Sequence, residues 1–135
     1  MIRAYLDTSA IGKLLIEEAE SDALAAWADD NDAALLGTFL LETELRRVAV
    51  RHGIHQAAAT AVLEHVSLFD VPPSLYREAG LLPGRHLRSL DALHIASAIR
   101  LEADILVTYD VRLADAANDA GLIVTAPANS EPHPD

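Results

Sequence analysis

Apolar residues along this chain fall into two kinds of segment. Short continuous runs such as residues 2–6 (IRAYL) are typical of buried strands. Elsewhere apolar residues recur at three- and four-residue intervals, as at Leu24, Trp27 and Ala28, which predicts amphipathic helices. The predicted strands cover residues 2–6, 33–37, 67–71, 104–109 and 122–125. The predicted helices cover residues 11–15, 21–30, 38–52, 55–66, 75–81, 90–102 and 111–120.

Capping residues support these boundaries. Thr38 and Ser89 stand where helix N-caps are expected, and Gly121 stands where a helix needs a residue of positive φ to end. Strands alternating with helices, several strands being apolar throughout, are typical of a parallel sheet covered on both faces. The pattern therefore predicts a three-layer α/β domain.

Composition limits the class of protein. A chain of 135 residues, of which 51% are hydrophobic, is long enough for one globular domain, expected at residues 1–126. Residues 127–135 are rich in proline and poor in apolar side chains, so we expect a flexible tail. The absence of cysteine excludes disulfides and thiolate metal sites. With no long apolar segment and no signal peptide, the expected location is the cytoplasm.

Charge is the unusual feature. Twenty-one acidic residues against ten basic ones give a net charge of −11, which repels phosphates on average and favours metal ions or cationic partners. The basic residues are nine arginines and Lys13. Arginine binds phosphate in a bidentate manner, so a local positive patch inside an acidic surface is still compatible with nucleic acid.

Two aspartates follow predicted strands. Asp7 comes after the first strand and Asp110 after the strand at 104–109. In open parallel sheets, ligands bind beyond the carboxyl ends of the strands, where the strand order reverses. An aspartate in front of a helix also serves as an N-cap, and for each residue alone the two interpretations are equally supported.

Glu44 lies on the apolar side of its predicted helix, sharing a face with Leu41 and Val48. A buried carboxylate without a partner costs several kcal/mol, so a cation is expected beside it. Arg47 or Arg51 would satisfy this requirement structurally, and a bound metal ion is the alternative.

Asp91 presents a similar case in the helix at 90–102. That helix has almost no polar face, which predicts a central buried position. Its first turn carries Asp91, for which capping and the helix dipole are the structural explanation. We expect His94 and Ser97 to be core residues with satisfied hydrogen bonds rather than ligands.

Together these acids suggest a metal site. If Asp7, Glu44, Asp91 and Asp110 converge, their mutual repulsion requires a neutralising cation. Oxygen ligands without cysteine or a suitable histidine pair favour Mg²⁺ or Mn²⁺, ions that promote phosphodiester hydrolysis.

Four motifs in order resemble the PIN domain, most closely the VapC-type toxins of type II toxin–antitoxin systems: LDTSA, TELRR, LDALHIASA and LVTYD. The resemblance implies a central, mainly parallel sheet of about five strands and an Mg²⁺- or Mn²⁺-dependent endoribonuclease that cleaves RNA with metal-activated water. It implies that Asp7, Glu44, Asp91 and Asp110 are the catalytic and metal-binding acids. Ser9 and Thr108 match the hydroxyl positions beside them, although turn and strand-end hydroxyls explain these two equally well. The cap of the first helix is then expected to pass from Asp7 to Thr8 or Ser9.

The resemblance also implies partners. A VapB-type antitoxin with a basic segment would bind this acidic protein, and the apolar helices at 21–30 and 39–66 would supply a homodimer surface. RNA would follow a local arginine patch, for which the candidates are Arg46, Arg47, Arg51, Arg85 and Arg88.

Two other enzyme or signalling classes with an acidic strand end each lack a required residue in this chain. A haloacid-dehalogenase-type phosphatase needs a second aspartate where this chain has Ser9, and a phosphoacceptor signalling domain needs a late lysine, whereas the chain has only Lys13. A non-catalytic PIN-like binding scaffold and a PIN RNA-processing nuclease without an antitoxin both remain open.

Overall fold

Five parallel strands form one sheet in the computed structural model, which describes residues 1–129. The strand order is β3-β2-β1-β4-β5. Every pair of neighbouring strands is parallel. The strands are β1 (Arg3–Leu6), β2 (Ala34–Thr38), β3 (Ser67–Phe69), β4 (Ile105–Val107) and β5 (Val124–Thr125). Each predicted strand is therefore present, with slightly different ends.

Helices connect the strands within the described residues, and all the predicted helices are present. They are α1 (Thr8–Leu15), α2 (Ser21–Asp30), α3 (Phe39–Arg51), α4 (Gln56–Leu63), α5 (Pro73–Gly80), α6 (Ser89–Arg100) and α7 (Val111–Asp119). Gly121 follows α7 with φ of +90°, as its predicted role requires. The predicted cap at Ser89 is wrong, because Ser89 is the first helical residue and Arg88 holds the cap position. Thr38 holds the cap position of α3, but its side chain makes no capping hydrogen bond.

Alternation along β1 builds the three layers. Ala4 and Leu6 pack into a cluster with side chains of α1, α2, α3 and α4. Tyr5, on the other face, packs into a cluster with Ile95 of α6 and Leu113 of α7. Successive residues of a strand point to opposite faces, so one strand supplies both cores. The predicted three-layer α/β/α architecture is confirmed.

The strand order places a ligand-binding crevice next to β1. Successive connections move outward from β1 through β2 to β3, and the chain then returns to β4 on the other side of β1. In register, Leu6 pairs with Val107 and Tyr5 pairs with Leu36. At such a reversal the two connecting helices leave on opposite faces of the sheet and open a crevice at the carboxyl ends of the strands.

The remaining chain adds two observations. No helix within residues 1–129 is long and apolar enough to cross a membrane. In the segment predicted to be a flexible tail, Asn129 donates a hydrogen bond to the carbonyl of Ala19 at 2.9 Å. Residues 130–135 of that segment lie outside the described residues, so its flexibility stays a prediction.

Candidate functional site

A cleft of about 300 Å³ lies at the carboxyl ends of β1 and β4, at the strand-order reversal. The lining residues belong to α3 and to the N-terminal parts of α1, α6 and α7. They are Asp7, Thr8, Ser9, Glu44, Arg88, Ser89, Leu90, Asp91, His94 and Asp110. Four acidic side chains distant in sequence therefore share one small cavity.

Asp7 is the most buried of these acids, with 4% of its surface exposed. Its Oδ1 accepts a hydrogen bond from the backbone N–H of Ala10 at 3.0 Å, which makes Asp7 the N-cap of α1. Burial raises the pKa of Asp7, against the opposing effect of hydrogen bonds from Thr108, Ser9 and Ala10. Asp7 therefore caps α1 and lines the cleft at the same time.

Two hydroxyls hold the Asp7 carboxylate. Thr108 Oγ1 donates to Asp7 Oδ2 at 2.7 Å, and Ser9 Oγ lies 2.8 and 2.9 Å from the two carboxylate oxygens. The same hydroxyls accept from the backbone N–H groups of Asp110 and Tyr109, at 3.0 and 2.9 Å. Ser9 and Thr108 therefore join the ends of β1 and β4 through Asp7.

The predicted transfer of the cap to Thr8 or Ser9 is wrong. Asp7 makes the capping bond itself, and Ser9 binds the Asp7 carboxylate instead. Thr8 Oγ1 is buried and has no hydrogen-bond partner among the described residues. The extended backbone of Asp7 turns its own carboxylate back over the first helical turn, where it reaches Ala10 first.

Asp110 is exposed and caps α7. Its Oδ1 accepts from the backbone N–H groups of Arg112 and Leu113 at 2.9 and 3.3 Å. Within residues 1–129, its Oδ2 makes no hydrogen bond, so one oxygen of this carboxylate is available to a ligand. Capping and ligand binding are again compatible in one side chain.

Glu44 has a partner that the sequence did not indicate. His94 Nε2 lies 2.7 Å from Glu44 Oε1, whereas neither Arg47 nor Arg51 forms an ion pair with it. The other ring nitrogen of His94 lies 2.7 Å from the hydroxyl of Tyr5 in β1. His94 is buried and satisfied, as predicted, but it also lines the cleft. Its spacing of three residues from Asp91 on one helix face was the available signal.

Asp91 lies at the rim of the cleft, half-buried, rather than deep in the protein as predicted. The rest of α6 is central, with Ala92 and residues 94–98 buried, but the first turn emerges at the carboxyl edge of the sheet. Burial, and then the negative charge of Asp110, raise the pKa of Asp91. The two aspartates are therefore close enough to repel each other.

The donor set suits a hard divalent cation, although the side chains do not yet enclose one. Among residues 1–129, no three histidine, aspartate or glutamate side chains lie close enough together to hold a metal ion as they stand. The side-chain groups of the cleft that can bind a metal ion are carboxylate and hydroxyl oxygens, because both nitrogens of His94 are engaged and the Arg88 guanidinium is a cation without an acceptor atom. Such oxygen donors fit Mg²⁺ or Mn²⁺.

The candidate arginines divide into two groups. Arg46 binds Glu42 at 3.0 Å and also reaches Gln56 and Thr60 of α4, away from the cleft. Arg47 and Arg51 are exposed on α3 and do not line the cleft.

A groove of about 360 Å³ adjoins the cleft and contains the second group. It is lined by Arg85, Arg88 and Arg112 together with Asp115 and Asp119, and it shares Arg88 and Asp91 with the acidic cleft. The sequence analysis did not include Arg112, although it stands only two positions after the candidate acid Asp110.

A larger groove of about 570 Å³ lies away from these acids, between α1, α2 and α4. Leu14, Leu24, Ala28 and Val62 give it an apolar wall. None of the four motif acids lines it. Lys13 does not line the acidic cleft, and its Nζ forms ion pairs with Glu18 and Glu20 at 2.9 Å each.

Sequence comparison gives a consistent assignment. The PIN domain family matches residues 4–119. The chain is 39% identical over 133 residues to Ribonuclease VapC35 of Mycobacterium tuberculosis, covering 93% of this chain and 98% of that protein. It is 36% identical over 130 residues to Ribonuclease VapC46 of the same species, covering 95% and 100%.

Solved structures share the fold at lower identity. Mycobacterium tuberculosis VapC20, described as a sarcin-ricin loop cleaving toxin, aligns with a TM-score of 0.73 at 18% identity, covering 92% of this chain and 99% of that one. VapBC2 from Rickettsia felis, bound to a DNA fragment from its promoter, aligns with a TM-score of 0.71 at 16% identity, covering 93% and 99%. By its motifs, its fold and these relatives, the chain belongs to the PIN domain family, alongside proteins named as VapC ribonucleases.

Proposed function

We propose that this protein is an Mg²⁺- or Mn²⁺-dependent endoribonuclease and the toxin of a VapBC-type pair. One observation carries the proposal: Asp7, Glu44, Asp91 and Asp110, from four separate elements, line one cleft at the strand-order reversal. The relatives named as VapC ribonucleases support the same activity.

Each acid has a role in the proposed chemistry. Asp7, Glu44 and Asp91 would hold the metal ion, directly or through water, and Ser9 and Thr108 keep the Asp7 carboxylate in one orientation. When bound, the ion supplies Lewis-acid stabilisation of phosphate charge and acidifies water. Asp110 completes the anionic site or orients the water that attacks phosphorus. The expected products carry 5′-phosphate and 3′-hydroxyl ends.

RNA would approach through the arginine groove. Arg85, Arg88 and Arg112 line it, and its continuity with the cleft through Arg88 would bring a phosphate next to the acids. The lining of this groove also includes Asp91, Asp115 and Asp119, so its three arginines make it formally neutral, whereas the whole protein carries a net charge of −11. Because Arg46 is engaged by Glu42, Gln56 and Thr60, we give it no role in RNA binding.

An antitoxin would occupy the larger groove. VapBC2 from Rickettsia felis and VapBC-1 from Haemophilus influenzae are structures named as VapBC assemblies, which favours a VapB-type partner here. The groove joins an apolar wall to Asp29 and Asp32, and the whole protein is acidic. A segment that combines apolar and basic residues fits that surface, and an arginine reaching the acidic cleft would inhibit cleavage.

Self-association is a further part of the proposal. Phe39 of α3 is 52% exposed and Tyr76 of α5 is 60% exposed, and both line the same shallow depression. Exposed aromatic side chains close together are typical of protein interfaces, so a homodimer through this face is expected. Light scattering of the purified protein and of Phe39→Glu tests it, because only the wild type should have the mass of a dimer.

The decisive experiment combines RNA cleavage with metal binding. Purified protein is incubated with a mixed RNA pool in Mn²⁺, Mg²⁺ or EDTA, and Asp7→Asn is compared with Asp30→Asn, an exposed aspartate that lines no cleft. Thermal melting with and without Mn²⁺ gives a second readout, since an ion that binds only the folded state raises the melting temperature.

We expect metal-dependent cleavage by the wild type and by Asp30→Asn. Asp7→Asn should lose more than about 100-fold in rate, since it alters a ligand and not only a supporting group. Equal cleavage by Asp7→Asn would refute the nuclease site. No cleavage combined with no Mn²⁺ effect on melting would favour a non-catalytic scaffold, and cleavage without any interacting antitoxin would favour an RNA-processing nuclease.

A further inference from the structure

His94 forms a bridge between the sheet and the acidic cleft. Its side chain is 3% exposed, its Nδ1 lies 2.7 Å from the Tyr5 hydroxyl, and its Nε2 lies 2.7 Å from Glu44 Oε1. Both ring nitrogens therefore have a short hydrogen bond, and rotation of the ring would break both. We call this arrangement the histidine bridge.

The order of donors in the histidine bridge follows from its two ends. Glu44 Oε1 is a carboxylate oxygen and accepts, so the proton of that bond is on His94 Nε2. In the neutral imidazole Nδ1 then has no proton, so it accepts from the hydroxyl of Tyr5. A phenol hydroxyl carries one proton and can donate it to an unprotonated ring nitrogen. The imidazole is thus held in one tautomer and one orientation.

Glu44 depends on this contact for its direction. Its side chain is long and rotatable, and 18% of it is exposed at the cleft. No other side chain among the described residues forms a hydrogen bond or ion pair with it. Without His94, nothing in its surroundings would keep the carboxylate in the cleft rather than in other rotamers.

Tyr5 also connects Glu44 to Asp7. Tyr5 and Asp7 belong to one segment, because Tyr5 lies in β1 and Asp7 follows it by two residues. Glu44 belongs to a different element, α3. Relative positions of groups in a metal site must be held closely, and partners of the ligands commonly supply that orientation.

We propose that His94 is a positioning residue that fixes the Glu44 carboxylate in the metal site, with Tyr5 as its anchor. The effect on metal binding rests on the proposed function. The tautomer of His94 does not depend on that function. The chemical class of the ligand is a hard divalent cation. His94 itself would not touch the ion.

A purely structural role for His94 is the competing explanation, and three variants separate the two. His94→Leu removes both hydrogen bonds, His94→Gln keeps an amide N–H that can reach Glu44, and Tyr5→Phe removes only the anchor. Mn²⁺ dissociation constants come from calorimetry, and melting temperatures in EDTA report the effect of each change on folding alone.

Positioning predicts that His94→Leu weakens Mn²⁺ binding by about tenfold or more, that His94→Gln restores most of it, and that Tyr5→Phe has an intermediate effect. In a Glu44→Gln background, His94→Leu should cause no further loss, because the group it positions is already changed. Lower melting temperatures with unchanged Mn²⁺ affinity would overturn the proposal, as would equal losses in both backgrounds.

Nitrogen NMR of the histidine ring tests the bridge in metal-free protein. The wild type should show protonated Nε2 and unprotonated Nδ1 at His94, and Tyr5→Phe should lose this preference. A proton on Nδ1 with none on Nε2 would refute the proposed order of donors. If wild-type protein binds no Mn²⁺ but shows the expected tautomer, the proposed function fails while the hydrogen-bond bridge stands.

Discussion

Thr108 Oγ1 donates a 2.7 Å hydrogen bond to Asp7 Oδ2 across 101 residues of sequence. This contact joins the residue after β4 to the residue after β1, and the Thr108 oxygen also accepts from the backbone N–H of Asp110. One hydroxyl therefore orients a buried carboxylate and secures the backbone of a second acid.

The first prediction tests this hydroxyl. Thr108→Val keeps the shape of the side chain but leaves the Asp110 N–H without its partner and removes one of the two hydroxyls that bond to Asp7 Oδ2. We therefore expect a loss of about 1–3 kcal/mol in the free energy of unfolding. Because the Thr108 hydroxyl lowers the pKa of Asp7, its removal should raise that pKa further. Denaturant unfolding in EDTA measures the stability. Thr108→Ser, which keeps the hydroxyl, is the control and should retain most of it; equal losses in both variants would contradict the role of the bond.

The second prediction concerns charge repulsion at Asp91. Burial and Asp110 raise its pKa above the ordinary value of 3.8, so the ionised form destabilises the folded protein. Asp91→Asn removes that charge and keeps the size and shape of the side chain. In EDTA near pH 7, the variant should melt at a higher temperature than the wild type. A lower melting temperature would mean that the helix dipole outweighs the repulsion.

The pH dependence of this difference gives the third prediction. Asp7 and Asp91 both have raised pKa values, so the folded protein binds protons at these two carboxylates more tightly than the unfolded chain does. Their contribution to stability is complete below the unfolded value, near pH 4, and is lost as the pH rises through the folded-state values. The excess stability of Asp91→Asn over the wild type in EDTA should therefore be largest at pH 7 and shrink toward pH 4. Melting curves across this range check it, and a difference independent of pH would exclude titration as its cause.

The fourth prediction tests the arginine groove. Affinity for single-stranded RNA is measured against salt concentration in an Asp7→Asn background, where the RNA is not consumed. Removing one phosphate contact with Arg112→Gln should reduce the slope of log affinity against log salt by about 0.7. Arg47→Gln, an exposed arginine outside the groove, is the matched control and should leave the slope unchanged. Equal slopes for both variants would place the RNA elsewhere.

The fifth prediction tests the antitoxin surface. Ala25 and Ala26 are both exposed on α2, but only Ala25 lines the larger groove. Ala25→Glu should weaken binding to a VapB-type protein from the same genome, because it places charge and bulk against the apolar wall. Ala26→Glu should bind as the wild type does, and RNA cleavage should be unchanged in both. Calorimetric titration compares them, and similar affinity for both variants would exclude this groove as the docking surface.

Some features could be predicted from the sequence because they depend on local physics. The apolar runs at 2–6 and 104–109 predicted strands, and the positive φ of Gly121 at the end of α7 followed from its position. Errors arose where alternatives differ by a single hydrogen bond. Ser89 was a plausible cap, but the helix begins at Ser89 itself, and Asp7 rather than Thr8 or Ser9 caps α1.

The sequence by itself determined the three-layer architecture and the four acids proposed for the site, because hydrophobic periodicity and residue chemistry are local properties. Only the tertiary structure decided which groups hold those acids. The partner of Glu44 is His94, 50 residues away, and the partner of Asp7 is Thr108, 101 residues away. Such contacts depend on the order of strands in the sheet and on which helix crosses which face. No local pattern contains that information, since β1 and β4 are far apart in the sequence and are neighbours only in the folded sheet.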